Sequence, residues 1–251
     1  MDLGLRGRRA IVAGATAGLG LASAVALVEA GVRVVVCGRN HDRLDDALAT
    51  LRRSGDDVTG IVADVSSVAG ANGFVTAATD LLGGVDILVA NAGGPPPGTF
   101  SSTPIEAYVT ALELNLLSTV AMCQAAVPAM VEQRWGRVVA ITSISVRQPI
   151  DALILSNTAR AGVTGFLKTL ATEVAASGVT VNSVQPGSHA TDRLRSIHGD
   201  DLAGPTAGVP TRVLGRPVDF GQVVAFLCSE HARFITGVAL PVDGGANRAL
   251  F

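Results

Sequence analysis

The chain has 251 residues, of which 48% are hydrophobic and 16% charged, with 29 glycines and a formal net charge of −2. That balance excludes a disordered or fibrous chain and fits one large globular domain. Without any run of Lys or Arg it also speaks against nucleic acid or an anionic membrane as partner, both of which need clustered positive charge, and favours a small molecule.

Near the N-terminus, Arg6, Arg8 and Arg9 precede an uncharged stretch, 10–28, with the outline of a signal peptide or membrane span. The glycines at 14, 18 and 20 break it up: Ile11-Val12 reads as the end of a buried strand, and Leu21, Val25 and Val28 recur at helical spacing. Strand, turn and helix in a soluble chain are therefore expected. Strands are predicted at 9–13, 33–37, 57–63, 87–90, 137–142, 180–185 and 239–242, alternating with helical patterns. This alternation predicts an α/β fold, a single-domain doubly wound (Rossmann-like) parallel sheet of about seven strands with helices on both faces, spanning 1–251. Ligands in such sheets lie beyond the carboxyl ends of the strands, so motifs placed just after strands are expected to converge on one crevice. Two irregular segments, 94–98 with three consecutive prolines and 188–212, follow strand ends, and the second is read as a substrate lid. Cys37, Cys123 and Cys228 are an odd, scattered set; they read as buried thiols in a reducing cytoplasm, not as metal ligands.

The run Ala13-Gly14-Ala15-Thr16-Ala17-Gly18-Leu19-Gly20 opens the first βαβ unit. Its glycines let the chain turn sharply, bring backbone N–H groups up to a diphosphate and seat the helix on the sheet. The second strand ends in Cys37-Gly38-Arg39-Asn40 with no acidic residue. An acid there would bind a ribose 2′-hydroxyl, whereas Arg39 beside Gly38 suits a 2′-phosphate, so NADP(H) is preferred over NAD(H).

Together these motifs closely resemble the classical short-chain dehydrogenase/reductase family, especially members similar to 3-oxoacyl-carrier-protein reductases, and the likeness covers the whole chain. The resemblance implies that Gly14, Thr16, Gly18, Leu19 and Gly20 hold the diphosphate and that Arg39 and Asn40 meet the adenosine phosphate. It places Asp64 and Val65 at the adenine, and Asn91, Ala92 and Gly93, which match the family's Asn-Asn-Ala-Gly segment without its first Asn, at the cofactor. Pro186, Gly187, His189 and Thr191 match the loop that holds the carboxamide. Phe234-Ile235-Thr236-Gly237 and Val242-Asp243-Gly244-Gly245 match a C-terminal signature that accompanies homotetramers.

By the same resemblance, catalysis uses an Asn holding a water relay, a Ser on the carbonyl, a Tyr as proton donor and a Lys that lowers the Tyr pKa and binds the ribose. Asn115 and Ser143 match the first two. Counting on from Ser143, the Tyr position falls on Ser156 and the Lys position on Arg160, in Ser156-Asn157-Thr158-Ala159-Arg160. Tyr108, the only tyrosine, falls in a preceding helix and is a poor substitute. An aliphatic hydroxyl is far less acidic than a phenol, so Ser156 is no simple replacement acid. A water relayed from Asn115 is left to supply the proton, or His189 if its ring faces the cleft, although such a residue more often gives backbone contacts alone and packs its ring away; Arg160 is left to bind the ribose hydroxyls and, with Ser143, to stabilise the alkoxide. Arg147, Arg193, Arg195 and His198 read first as exposed lid residues, and alternatively as contacts for an anionic substrate group. Three functions remain open: an NADP(H)-dependent oxidoreductase on a ketone or secondary alcohol, a non-redox lyase, isomerase or cyclase, and a silent nucleotide-binding partner subunit.

Overall fold

The computed structural model describes residues 2–250. Seven parallel strands, β1 (Arg9–Val12), β2 (Arg33–Gly38), β3 (Val58–Val62), β4 (Ile87–Ala90), β5 (Gly136–Ile141), β6 (Val179–Pro186) and β7 (Ala239–Val242), form one sheet in the order β3-β2-β1-β4-β5-β6-β7. Each falls on a predicted strand: β4 and β7 match at both ends, and no end of the others is displaced by more than one residue. Ala13, Asp57, Ala63 and Thr142 lie outside the strands, while Gly38, Gly136, Val179 and Pro186 lie inside them.

The strands read as near-continuous apolar runs because both faces of the sheet are covered. Their side chains alternate between two cores. Ile11, Val35, Leu88, Val138 and Val181 face one core, built with Phe74 and Val75 of α3 (Val68–Leu82), Met122 and Met130 of α5 (Ser118–Glu132), and Val163 and Leu167 of α6 (Ile154–Val174). Val12, Val34, Val36, Val89 and Val139 face the other, with Leu27 of α1 (Gly18–Glu29), Leu44 and Leu48 of α2 (His41–Leu51), and Phe220 and Val224 of α9 (Pro217–Cys228). Helices α1 and α9 cross so closely that a Cβ on Gly221 would collide with the Ala22 carbonyl, so glycine is required there.

The stretch 10–28 divides into β1, the turn and α1, as expected. A longer apolar stretch, Ile105–Glu132, meets the length and composition needed to cross a membrane, yet half of its most apolar window is buried inside the fold. It consists of α4 (Ile105–Leu112), a π turn (Glu113–Leu117) and α5. All three cysteines are buried, as read from their scatter.

Strand order reverses between β1 and β4, so the loops that follow these two strands are neighbours and open a crevice. Segment 188–212 carries two short helices, α7 (Asp192–His198) and α8 (Ala203–Ala207). Its base is pinned where Gly215 N donates to Ser188 O at 3.0 Å and Ala190 N to Gly215 O at 2.9 Å.

Candidate active site

Gly14 and Gly18 adopt φ of +57° and +56°, left-handed values that favour glycine and bend the chain from β1 into α1. Asn91 Nδ2 donates to Gly14 O at 3.0 Å and so ties the turn to the end of β4. Gly20 is packed beneath this tie, and a Cβ there would strike Gly14 O and Asn91 Nδ2. No side chain caps α1 and no acidic residue stands in its first turn. The open N–H groups and the positive end of the helix dipole therefore fit an anionic diphosphate.

At the end of β2, a Cβ on Gly38 would run into Thr16, and the exposed Arg39 lies 4.0 Å from Asp64. Partial burial acts to raise the Asp64 pKa, but the Ser66 backbone and side chain, then the Arg39 charge, outweigh it and hold the carboxyl below its usual range. Asn40 is engaged as the cap of α2, accepting from Arg43 N at 2.9 Å, and Val65 is buried in the core. Thr191 caps α7 and lies against Gly18, 3.6 Å from where a Cβ would stand, so the start of segment 188–212 abuts the turn. Beside this junction an apolar cavity of about 330 Å³ opens between α1 and α9, lined by Leu21, Val25, Pro217 and Val218, apart from the polar centre.

The polar centre is not made by strand ends alone, as the placement of motifs after strands implied. Ser143 follows β5, but Asn115 projects from the π turn, and Ser156 and Arg160 come from α6. The π turn widens the helix at Asn115. Asn115 Nδ2 donates to Gly93 O at 2.8 Å, and its buried Oδ1 has no protein partner. Ser143 Oγ accepts from Ser145 N at 3.1 Å, which leaves its own proton free to donate. Arg160 and Ser156 are both buried, four residues apart on α6, which packs against the short turn Ile144–Val146 after Ser143. Arg160 Nη1 donates to Ile141 O at 3.0 Å, fixing the guanidinium beneath the end of β5. Burial first, and then the charge of Arg193, push its pKa down to about 10, so it stays cationic at neutral pH.

One alternative is set aside and one expectation is corrected. His189 does not turn its ring to the cleft: the ring is buried edge-on against Phe220, centroids 5.3 Å apart at 85°, under Gly215, with Nδ1 3.1 Å from Gly187 O. Burial lowers its pKa against the opposing effects of the Gly187 carbonyl, Asp219 and Asp243, so it is a neutral strut at pH 7. Arg147 is not open to a substrate anion either. Its Nε donates to Gln185 Oε1 at 3.0 Å and its Nη2 to Ala239 O at 2.7 Å. Tyr108 lies on α4, as expected.

Residues 14–247 match the family model described as Enoyl-(Acyl carrier protein) reductase. Dehydrogenase/reductase SDR family member 4 of Bos taurus is 35% identical over 94% of this chain and 86% of its own length. The 3-oxoacyl-acyl-carrier-protein reductase of Vibrio cholerae is 35% identical over 97% and 98%. Among solved structures, L-sorbose reductase from Gluconobacter frateurii, complexed with NADPH and L-sorbose, superposes with a TM-score of 0.92 at 31% identity, covering 100% of both chains. The chain thus belongs to the short-chain dehydrogenase/reductase family, whose relatives here are oxidoreductases.

Proposed function

We propose that the chain is an NADP(H)-dependent oxidoreductase that transfers a hydride between the nicotinamide and a ketone or secondary alcohol. In this reading Ser156 and Arg160 occupy the positions that Tyr and Lys hold in the family, within one domain lidded by 188–212. The observation that carries it is the glycine turn tied to the end of β4 by Asn91, joined through Gly93 to the polar centre of Asn115, Ser143 and Arg160. Arg39, exposed beside Gly38 with no acid at the end of β2, and the NADPH held by L-sorbose reductase support the phosphorylated cofactor.

The turn Gly14–Gly20, with Thr16 and Leu19, takes the diphosphate. Arg39 and Asn40 border the 2′-phosphate, and Asp64 and Val65 the adenine. Asn91, Ala92 and Gly93 line the cofactor cleft, Arg160 binds the ribose hydroxyls, and Pro186, Gly187, His189 and Thr191 border the carboxamide, His189 through its backbone. The cofactor, when bound, supplies or takes up the hydride. Ser143 Oγ donates to the carbonyl oxygen, and the fixed charge of Arg160 stabilises the alkoxide as it forms. The free Asn115 Oδ1 holds the water that delivers the proton. Without a positioned phenol the reaction forgoes about 100- to 10,000-fold of acid catalysis and relies on proximity and electrostatics. The reading extends to a homotetramer working on a small molecule in the cytoplasm, as the C-terminal signature and the buried thiols suggest.

The test is the double substitution Ser156→Tyr with Arg160→Lys. Carbonyl reduction is expected to rise about 100-fold or more, within the range of acid catalysis regained. Loss of a native activity without any gain in reduction would contradict a reductase and favour a lyase, isomerase or cyclase.

A further inference from the structure

Helix α7 buries none of its residues, and among the described residues a single hydrogen bond ties it to another part of the fold. That bond runs from Arg193 Nη2 to Pro95 O at 2.9 Å. The remaining polar contacts of α7 are internal: the Thr191 cap accepts from Leu194 N at 3.3 Å, Asp192 pairs with Arg195 at 3.5 Å, and Ser196 Oγ donates to Arg193 O at 2.8 Å. The seat of the guanidinium depends on a missing side chain. A Cβ on Gly94 would stand 2.9 Å from Nη2, 3.3 Å from Cζ and 3.4 Å from Nε of Arg193, so the guanidinium lies along this glycine and a methyl group there displaces it. Pro95 is buried and opens the run Pro95-Pro96-Pro97, whose rings fix φ. The far end of this loop is pinned where Gly98 N donates to Ala152 O at 2.7 Å and Ile154 N to Gly98 O at 3.3 Å. A stiff loop thus presents the carbonyl to which α7 is fastened.

On its other side the start of α7 meets the glycine turn, Thr191 Cγ2 lying 3.6 Å from where a Cβ on Gly18 would stand. Thr191 and Arg193 therefore span from the loop after β1 to the loop after β4, the two that border the crevice where strand order reverses. A dinucleotide with its diphosphate at 14–20 and its nicotinamide at the polar centre beside Gly93 has to pass between these loops. We propose that Arg193, seated on Gly94 and bonded to Pro95 O, is a positioning residue that latches α7 over this passage and sets the rate at which the cofactor enters and leaves. This rests on the reading of the glycine turn as the diphosphate seat. The latch is closed in the protein without cofactor, so it opens for entry and again for exit. Its loss accordingly raises both rates by a similar factor and largely cancels from the affinity, because only the open fraction exchanges cofactor. One hydrogen bond from a charged donor corresponds to a factor of about ten.

The experiment is stopped-flow fluorescence with NADPH, association being read on mixing and dissociation on chasing with excess NADP+. Arg193→Ala is expected to accelerate both about tenfold while the affinity stays within about threefold. Gly94→Ala retains the arginine and removes only its seat; Gly94 is not among the glycines at positive φ, so alanine can adopt its backbone. It is expected to accelerate both rates in the same way, and Arg193→Lys, which keeps a charged donor for Pro95 O, to recover part of the slow exchange. Faster dissociation with slower association overturns the latch, since the guanidinium then attracts the phosphates directly. So do unchanged rates, or an effect of Arg193→Ala that Gly94→Ala does not share. Failure of the wild type to bind NADPH overturns the diphosphate seat and the latch with it, whereas normal binding with unchanged rates in both variants overturns the latch alone.

Discussion

At the scale of single residues, stability and chemistry are held by different sets of charges. Asp86, almost fully buried before β4, accepts from Arg9 at three points, backbone N at 2.8 Å, Nε at 2.9 Å and Nη2 at 2.8 Å. Burial acts to raise the Asp86 pKa, and the Arg9 hydrogen bonds and charge outweigh it, holding the carboxyl below its usual value. The native carboxyl therefore binds a proton less readily than the unfolded one. Its contribution is complete above about pH 4 and is lost as pH falls through the native pKa. Asp86→Asn is expected to cost about 3 kcal/mol in urea unfolding at pH 7, and a cost near zero would show the pair to be idle. His189 follows the same sign. Its native pKa is lowered, so stability is full above about pH 6.5 and declines as pH falls toward the native pKa. Thermal melts between pH 7 and 5 should fall more steeply for the wild type than for His189→Asn; parallel slopes would contradict a buried neutral ring. The thiols are the quiet counterpart, each pushed up to about 12, chiefly by burial. A disulfide thiol reagent should titrate none of the three in the native protein and all three in denaturant.

At the scale of elements, the turn between β1 and α1 is the least forgiving piece. Gly20→Ala places a methyl group on the Gly14 carbonyl and the Asn91 amide at once, so the backbone has to move where the diphosphate is proposed to sit. The variant is expected to lose NADPH affinity about tenfold or more while retaining the fold by circular dichroism, and unchanged affinity would argue against that seat. This turn was legible from sequence because its requirement for glycine is local: sharp bends and close approach leave their mark in residue type. The strands were legible for a similar reason, since burial on both faces writes continuous apolar runs. The partners of the His189 ring were not legible. Its ring is fixed by Phe220 and Gly215, from segments well downstream, and the sequence pattern around 189 carries no trace of that packing. Arg147 was missed likewise, because its partners Gln185 and Ala239 lie on two other strands. Asn115 could be named from the motif, but the π turn that carries it lies within an unbroken helical pattern and leaves no separate periodicity.

At the scale of the whole molecule, the reversal of strand order between β1 and β4 brings together what the chain keeps apart. The turn at 14–20, the loop at 91–93, the π turn, the end of β5 and the face of α6 meet at one crevice, and the segment after β6 is tied to the proline loop beside it by Arg193. A scaffold of this kind hosts many chemistries, so the fold establishes the family while the site has to establish the reaction. The central claim is that this crevice binds NADPH and uses it to reduce a carbonyl without the usual phenol. Its most direct test is fluorescence titration of the purified protein with NADPH and NADH, followed in the same cuvette by NADPH oxidation with a panel of ketones and oxo acids. The account predicts tighter binding of NADPH than of NADH and substrate-dependent oxidation, whereas failure to bind either nucleotide, or tight binding with no oxidation by any carbonyl, would contradict it.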